Sequence, residues 1–224
     1  MVYAFLIHSL EEEKETSNAA ADVTMMPVGQ SAANVQVCFS HFFTAEGNDV
    51  HRKKREQQLA ASVWRDFAFR QRCAEGFARV SKEENKRRSS SPAPSLELPF
   101  QLATTKPAFE GGEFRISGSL GGGPSCFSSP KIGVWKQFRN TAMLLVCEPD
   151  ENRYLAANFL SLFASVLAEH FKSPAITAKP KELLSRPEEI MLLLEVYLPN
   201  GLLLFTSSHL SKHWRRQAEP LLAK

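Results

Sequence analysis

A five-stranded sheet with helices packed on its faces, an α+β domain, is the fold class this sequence predicts. Residues 141–171 (TAMLLVCEPDENRYLAANFLSLFASVLAEHF) run from a continuous apolar segment through an acidic turn into helical spacing, the pattern of a strand feeding a helix. Four further short segments have strand character, and two other stretches place apolar residues at helical steps. Each apolar stripe needs a cover, so helices over a sheet follow from layer logic.

The first strand is expected at residues 2–10 and the second at 35–43, with a loose, polar, Ala-rich excursion at 11–33 between them. A helix follows from His51 to about Phe77. Leu59, Val63, Phe67 and Phe77 mark its apolar side, and Asn48 or Asp49 is placed to cap its start. From 81 to 130 serine, proline and glycine crowd the chain, so most of it is expected to be irregular. Inside that stretch residues 113–120 (EFRISGSL) alternate as a short strand, with Phe114 and Ile116 on one face.

Residues 132–138 give a fourth strand, and Asn140 supplies a turn before the fifth. Met143, Leu144, Leu145, Val146 and Cys147 have no polar residue among them and read as a strand covered on both sides. Pro149, Asp150, Glu151 and Asn152 then stop it. Beyond them Leu155, Phe159, Leu162, Phe163, Val166, Leu167, His170 and Phe171 recur at three- and four-residue steps as one helical stripe. Pro174 and Pro180 bound a loop. A last helix at 188–198 carries Ile190, Leu193, Leu194, Tyr197 and Leu198 and is stopped by Pro199, Asn200 and Gly201. The chain is thus divided into a domain at 1–201, with a Ser/Pro/Gly-rich insertion at about 81–112, and a C-terminal extension at 202–224.

At 224 residues, 43% of them hydrophobic and 23% charged, the chain suits one core plus irregular segments. A net charge of +3 is too small to imply a nucleic-acid or membrane partner by itself. Cys38, Cys73, Cys126 and Cys147 lie far apart without a C-x-x-C pair and read as reduced core residues of a cytosolic protein. No apolar run reaches the length of a bilayer span, and the apolar 2–7 segment lacks a signal peptide's basic flank.

Catalytic chemistry finds no anchor: G-x-S-x-G is absent, and GSLGGGPS at 118–125 has Pro124 and Ser125 where a phosphate-binding loop needs lysine and a hydroxyl residue. His209 and His213 are four apart with no third metal ligand nearby. His170 at a helix end reads as a hydrogen-bonded or partly exposed histidine rather than a general base. No enzyme activity, cofactor, metal or assignable binding residue is therefore expected. The basic runs HRKKR (51–55) and NKRR (85–88) raise one alternative, a nuclear or nucleic-acid-associated protein. Interleaved Glu56, Asp66, Glu75, Glu83 and Glu84 favour a solvated helix face instead.

The strand, acidic turn and helix in CEPDENRYLAANFLSLFASVLAEHF, with KELLSRPEEIMLLLEVYLPNG after them, resemble the sigma-type small subunits of the clathrin-adaptor family. MVYAFLIHSL and PNGLLLF are similar to the branch of that family belonging to the fifth adaptor protein complex. The resemblance implies a longin-like fold with a mostly antiparallel sheet, and a non-catalytic role in endosomal protein transport. It implies a heterotetramer with two large adaptin-type chains and a medium chain, with spatacsin and spastizin as further partners. It also implies a cytoplasmic protein associated peripherally with late endosomes and lysosomes, touching membrane only indirectly and binding no nucleic acid; the basic runs leave room for a nuclear pool. Better-known sigma chains help bind acidic dileucine signals through residues after the long helix. FKSPAITAKP departs from that pattern, and no cargo-binding residue is assigned. An apolar surface for a large subunit is expected, with Leu202, Leu203, Leu204 and Phe205 the place to look.

Overall fold

The computed structural model describes residues 1–10, 35–88, 111–118, 126–173 and 176–204. Five antiparallel strands, β1 (Val2–Ser9), β2 (Val37–Phe42), β3 (Gly111–Ile116), β4 (Lys131–Phe138) and β5 (Thr141–Cys147), form one sheet in the order β2-β1-β5-β4-β3. A helix α1 (Arg52–Arg88) lies on one face; α2 (Arg153–His170), α3 (Pro180–Leu184) and α4 (Pro187–Tyr197) are on the other. This is the α+β, longin-like arrangement expected from the sequence. The expected strands are all present.

The central position of β5 explains its composition, for all seven of its residues are buried. Alternate side chains feed two cores. Met143, Leu145 and Cys147 join Phe159, Phe163 and Leu167 of α2 and Ile190 and Leu194 of α4. Ala142, Leu144 and Val146 face Leu59 and Val63 of α1 together with Trp135 and Phe127. A register shift between Val2 and Ala4 sends Val2 to the first core and Ala4 to the second, leaving Tyr3 partly packed on the second.

The helix details differ from the spacing in two ways. In α2 the buried set is Ala156, Phe159, Leu160, Phe163, Ala164, Val166 and Leu167, while Leu155, Leu162, His170 and Phe171 are only half-buried. Small Ala156 and Ala164 let the helix approach the sheet closely beside Phe159 and Phe163, which turns the buried stripe away from Leu155 and Leu162. And α1 continues through Arg88, past Phe77, so the first residues of the expected insertion are helical, while Gly111 and Gly112 at its end belong to β3. The remainder of that insertion lies outside the described residues, as do the excursion at 11–33 and the tail from 205.

Two glycines carry backbone reasons. Gly201 has φ +74°, and a Cβ there would sit 2.5 Å from the Val2 carbonyl. Gly133 lies directly across from Phe114, whose ring covers it where a Cβ would come within 2.6 Å. The loop after α2 contains a short 3₁₀ turn (Ile176–Ala178) and α3, elements the prolines had marked only as loop. Pro180 supplies a first-turn residue rather than a break.

His8 shares the second core's face with Leu6 and is fully buried. Its Nδ1 lies 3.0 Å from the Ser9 carbonyl, and its Nε2 has no partner. Burial pulls its pKa from 6.5 to about 4, only partly offset by the Ser9 hydrogen bond. The folded state therefore holds this imidazole neutral where the unfolded chain protonates it. The stabilisation is complete above pH 6.5 and is lost as pH falls toward 4, at about 1.4 kcal/mol per pH unit. His41 is shifted the same way by burial, against the raising influence of Glu195. Melting temperatures should fall from pH 7 to pH 5, and His8→Leu should flatten that slope. An unchanged slope in the variant would remove His8 as its source.

Candidate interaction surfaces

The β5–α2 turn is the polar feature nearest the sheet's centre. Asn152 caps α2, its side chain accepting from the Tyr154 and Leu155 N–H groups. Glu148 receives the Tyr3 hydroxyl at 2.7 Å and the Lys131 ammonium at 3.2 Å. Lys131 is fully enclosed: its Nζ also donates to Ser129 Oγ at 2.6 Å and stands 3.8 Å from the Tyr3 ring centroid. The Tyr3 hydrogen bond, followed by Lys131, holds the Glu148 carboxyl below its usual range. The Met1 amino group pairs with Glu151 in the same turn. Tyr3 lies within β1 and Lys131 opens β4, and only the pairing of both strands with β5 brings the two side chains to Glu148.

The basic run at 51–55 divides into two kinds of residue. Arg55 is mostly enclosed and makes a two-pronged pair with Asp49, at 2.6 and 2.8 Å, while donating to the carbonyls of Glu46 and Cys126. Arg52 binds Glu56 at 2.8 Å and the Ser40 carbonyl at 3.0 Å. Lys53 and Lys54 are exposed. The run is thus not a uniformly solvated helix start, because its two arginines fasten α1 to the sheet edge and to the segment before β4. Asp49 accepts the His51 N–H at 2.9 Å, a side-chain turn that leads into α1 at Arg52 and does not cap its first-turn N–H groups. Arg55→Gln is expected to cost about 1–3 kcal/mol by leaving buried carbonyls unmatched, whereas Lys53→Gln and Lys54→Gln should stay within about 0.5 kcal/mol. Urea titrations of the three variants test this, and equal effects would refute the division.

Other expected residues fall as follows. His170 Nε2 lies 2.6 Å from Glu189 Oε2 and ties α2 to α4. Cys38, Cys126 and Cys147 are buried core thiols, but Cys73 is half-exposed on α1 and is not a core residue, because the helix has by then passed the residues that touch the sheet. Burial pushes the Cys38 thiol up to about 11 and the Cys147 thiol to about 12. Among the described residues no group of three or more His, Cys, Asp or Glu converges on a metal position, and no helix is long and apolar enough to cross a membrane. His209, His213 and the glycine run after Gly118 lie outside the described residues.

Exposed apolar residues mark the surfaces open to partners. Leu202 and Leu204 are 45% and 56% exposed, next to a half-buried Leu203, where the chain leaves Gly201 beside the start of β1. Tyr154 is 84% exposed on the first turn of α2, and Leu184 is 37% exposed on α3. In the segment after α2, Ile176 and Leu183 are spent on the core.

The sequence model of the family described as AP-5 complex subunit sigma-1 matches residues 1–219. No curated protein matches the chain. Among solved structures, one described as a homology model of the full-length AP-3 complex in a stretched open conformation aligns at TM-score 0.43 and 10% identity, covering 99% of this chain and 97% of that one.

Proposed function

The chain belongs to the AP-5 complex subunit sigma-1 family, and from that membership we propose that it acts in endosomal protein transport as the small subunit of a heterotetramer. Its partners in this reading are two large adaptin-type chains and one medium chain, with spatacsin and spastizin joining the assembled complex. The assembly sits on the cytoplasmic side of late endosomes and lysosomes, and this chain reaches the membrane only through its partners. The match along nearly the whole chain carries the reading. The described surface agrees with a protein that works by contact, since Leu202, Leu204 and Tyr154 are exposed.

The proposed domain unit is 1–201, with 202–224 extending from it near the exposed leucines. A large subunit covering Leu202 and Leu204 would belong to an interface of obligate size, commonly above about 2,000 Å². Dileucine recognition is not included, because Ile176 and Leu183 after α2 are enclosed in the core. Nor is nucleic-acid binding by the 51–55 run, whose arginines are committed internally.

The test is co-purification of the tagged full chain from cells with mass-spectrometric identification of its partners. Recovery of stoichiometric large and medium adaptin chains supports the proposal. Their loss in a Leu202→Asp, Leu204→Asp variant that melts like wild type would place the interface. Recovery of chromatin proteins without any adaptin chain would sink the adaptor reading.

A further inference from the structure

The cations of α1 sort by direction. At 3.6 residues per turn each step rotates about 100°, so Lys54, Arg65, Arg72 and Arg79, separated by 11, 7 and 7 residues, lie within roughly 20° of one line along the helix. That line is turned away from Leu59 and Val63, which face the sheet. All four side chains are exposed, and none pairs with a carboxylate among the described residues. Arg65 reaches only the Ala61 carbonyl and Ser62 Oγ, and Arg72 only the Ala68 carbonyl. The cations on the sheet side behave oppositely: Arg52, Arg55 and Arg70 pair with Glu56, Asp49 and Asp66.

Beside this ridge Phe69 is 59% exposed. Four and seven residues on from it stand half-exposed Cys73 and Gly76, where an added Cβ would meet nothing within 4 Å. The last described contacts of α1 with the sheet are at Asp66, Phe67 and Arg70, against Trp135 and Gly112. The helix then continues for 18 residues, about 27 Å. Glu75 borders the ridge on the side away from Phe69, and Glu83 follows Arg79 by one helical turn.

We propose that the outer face of α1 is a docking surface for an acidic amphipathic helix of a protein partner. Partner carboxylates meet Lys54, Arg65, Arg72 and Arg79, and its apolar seam meets Phe69, Cys73 and Gly76. The seven-residue spacing of the arginines matches a partner lying nearly parallel to α1, as in coiled-coil packing, where charges flanking a seam choose the partner. Charge complementarity selects an acidic occupant. The position of the apolar seam on one flank of a single line of cations selects a helix over a flat anionic bilayer. This surface is independent of the adaptor assignment and lies on the opposite face of the sheet from α2 and α4.

The test uses the full chain labelled at Cys73 with an environment-sensitive fluorophore, the three buried thiols being poorly reactive. The probe is a synthetic helical peptide with leucine along one seam and glutamate at every seventh position beside it. Saturable binding that weakens with salt is expected. Arg65→Glu/Arg72→Glu/Arg79→Glu should weaken it by about tenfold or more, with a wild-type melting curve, since these side chains make no acid contact to lose. A peptide with lysine in place of glutamate should bind that variant and not the wild type. Absence of peptide binding, or binding indifferent to the charge reversals, overturns the proposal. So does tighter binding of phosphatidylserine vesicles or duplex DNA than of the peptide at physiological salt.

Discussion

Phe163→Ala is expected to destabilise the domain by about 3–5 kcal/mol, the range for truncating a buried aromatic without collapse of the cavity. Phe163 is fully buried, meets the Phe5 ring edge-on at 5.2 Å between centroids and stacks on Phe159 at 5.6 Å. Because it touches both α2 and the sheet, its loss loosens the main contact between the two layers. A urea titration reads the effect, and stability within 1 kcal/mol of wild type, on the order of a surface change, would mean that the α2 face is not packed as described.

The second large effect comes from the enclosed ammonium of Lys131. Removing its counter-charge by Glu148→Ala leaves a buried cation unmatched and also frees the Tyr3 hydroxyl. Breaking such a pair costs about 3–5 kcal/mol when fully buried. Glu148 is one-third exposed, so about 2–3 kcal/mol is expected here. Lys131→Met in the Glu148→Ala background should return most of that loss, because no charge then remains to be desolvated. If the double variant is no more stable than Glu148→Ala alone, the cost lies in the Tyr3 contact instead. The order of these variants in denaturant midpoint separates the two accounts.

The core strands were legible because burial on both faces leaves a composition with no alternative, as in Met143 to Cys147. Helix ends were less so. Phe77 ended the visible periodicity of α1, yet backbone hydrogen bonding carries the helix to Arg88 through residues of good helix propensity such as Lys, Glu and Arg. The α2 stripe holds at Phe159, Phe163, Val166 and Leu167 but shifts at its margins for a related reason. Counting large apolar residues favours Leu155 and Leu162, whereas close packing on a sheet favours Ala156 and Ala164.

The polar surface was hardest to read. Nothing local distinguishes Arg55 from Lys54. Only the meeting of Asp49, the Glu46 carbonyl and the distant Cys126 carbonyl makes Arg55 an internal tie. Likewise the clamp of Tyr3, Lys131 and Glu148 joins residues far apart in the chain, which no spacing rule connects. The candidate surface at Leu202 and Leu204 was indicated by the family resemblance, which implies an apolar face for a large subunit, together with the apolar run after Gly201.

The Ser40 carbonyl is occupied by Arg52 and the Phe42 carbonyl by Asn48, at 3.0 Å each. With Phe43 donating to Tyr3, the ladder alternation turns both of these carbonyls outward from β2, the free margin of the sheet. Two acceptors that another strand would need are therefore already taken. For a member of an adaptor-subunit family, this bears on any copy that stands alone. Two such copies meeting along this margin would find these acceptors occupied, which weakens it as a template for strand pairing. The same arginine that fastens a helix thus also blunts an edge of the sheet.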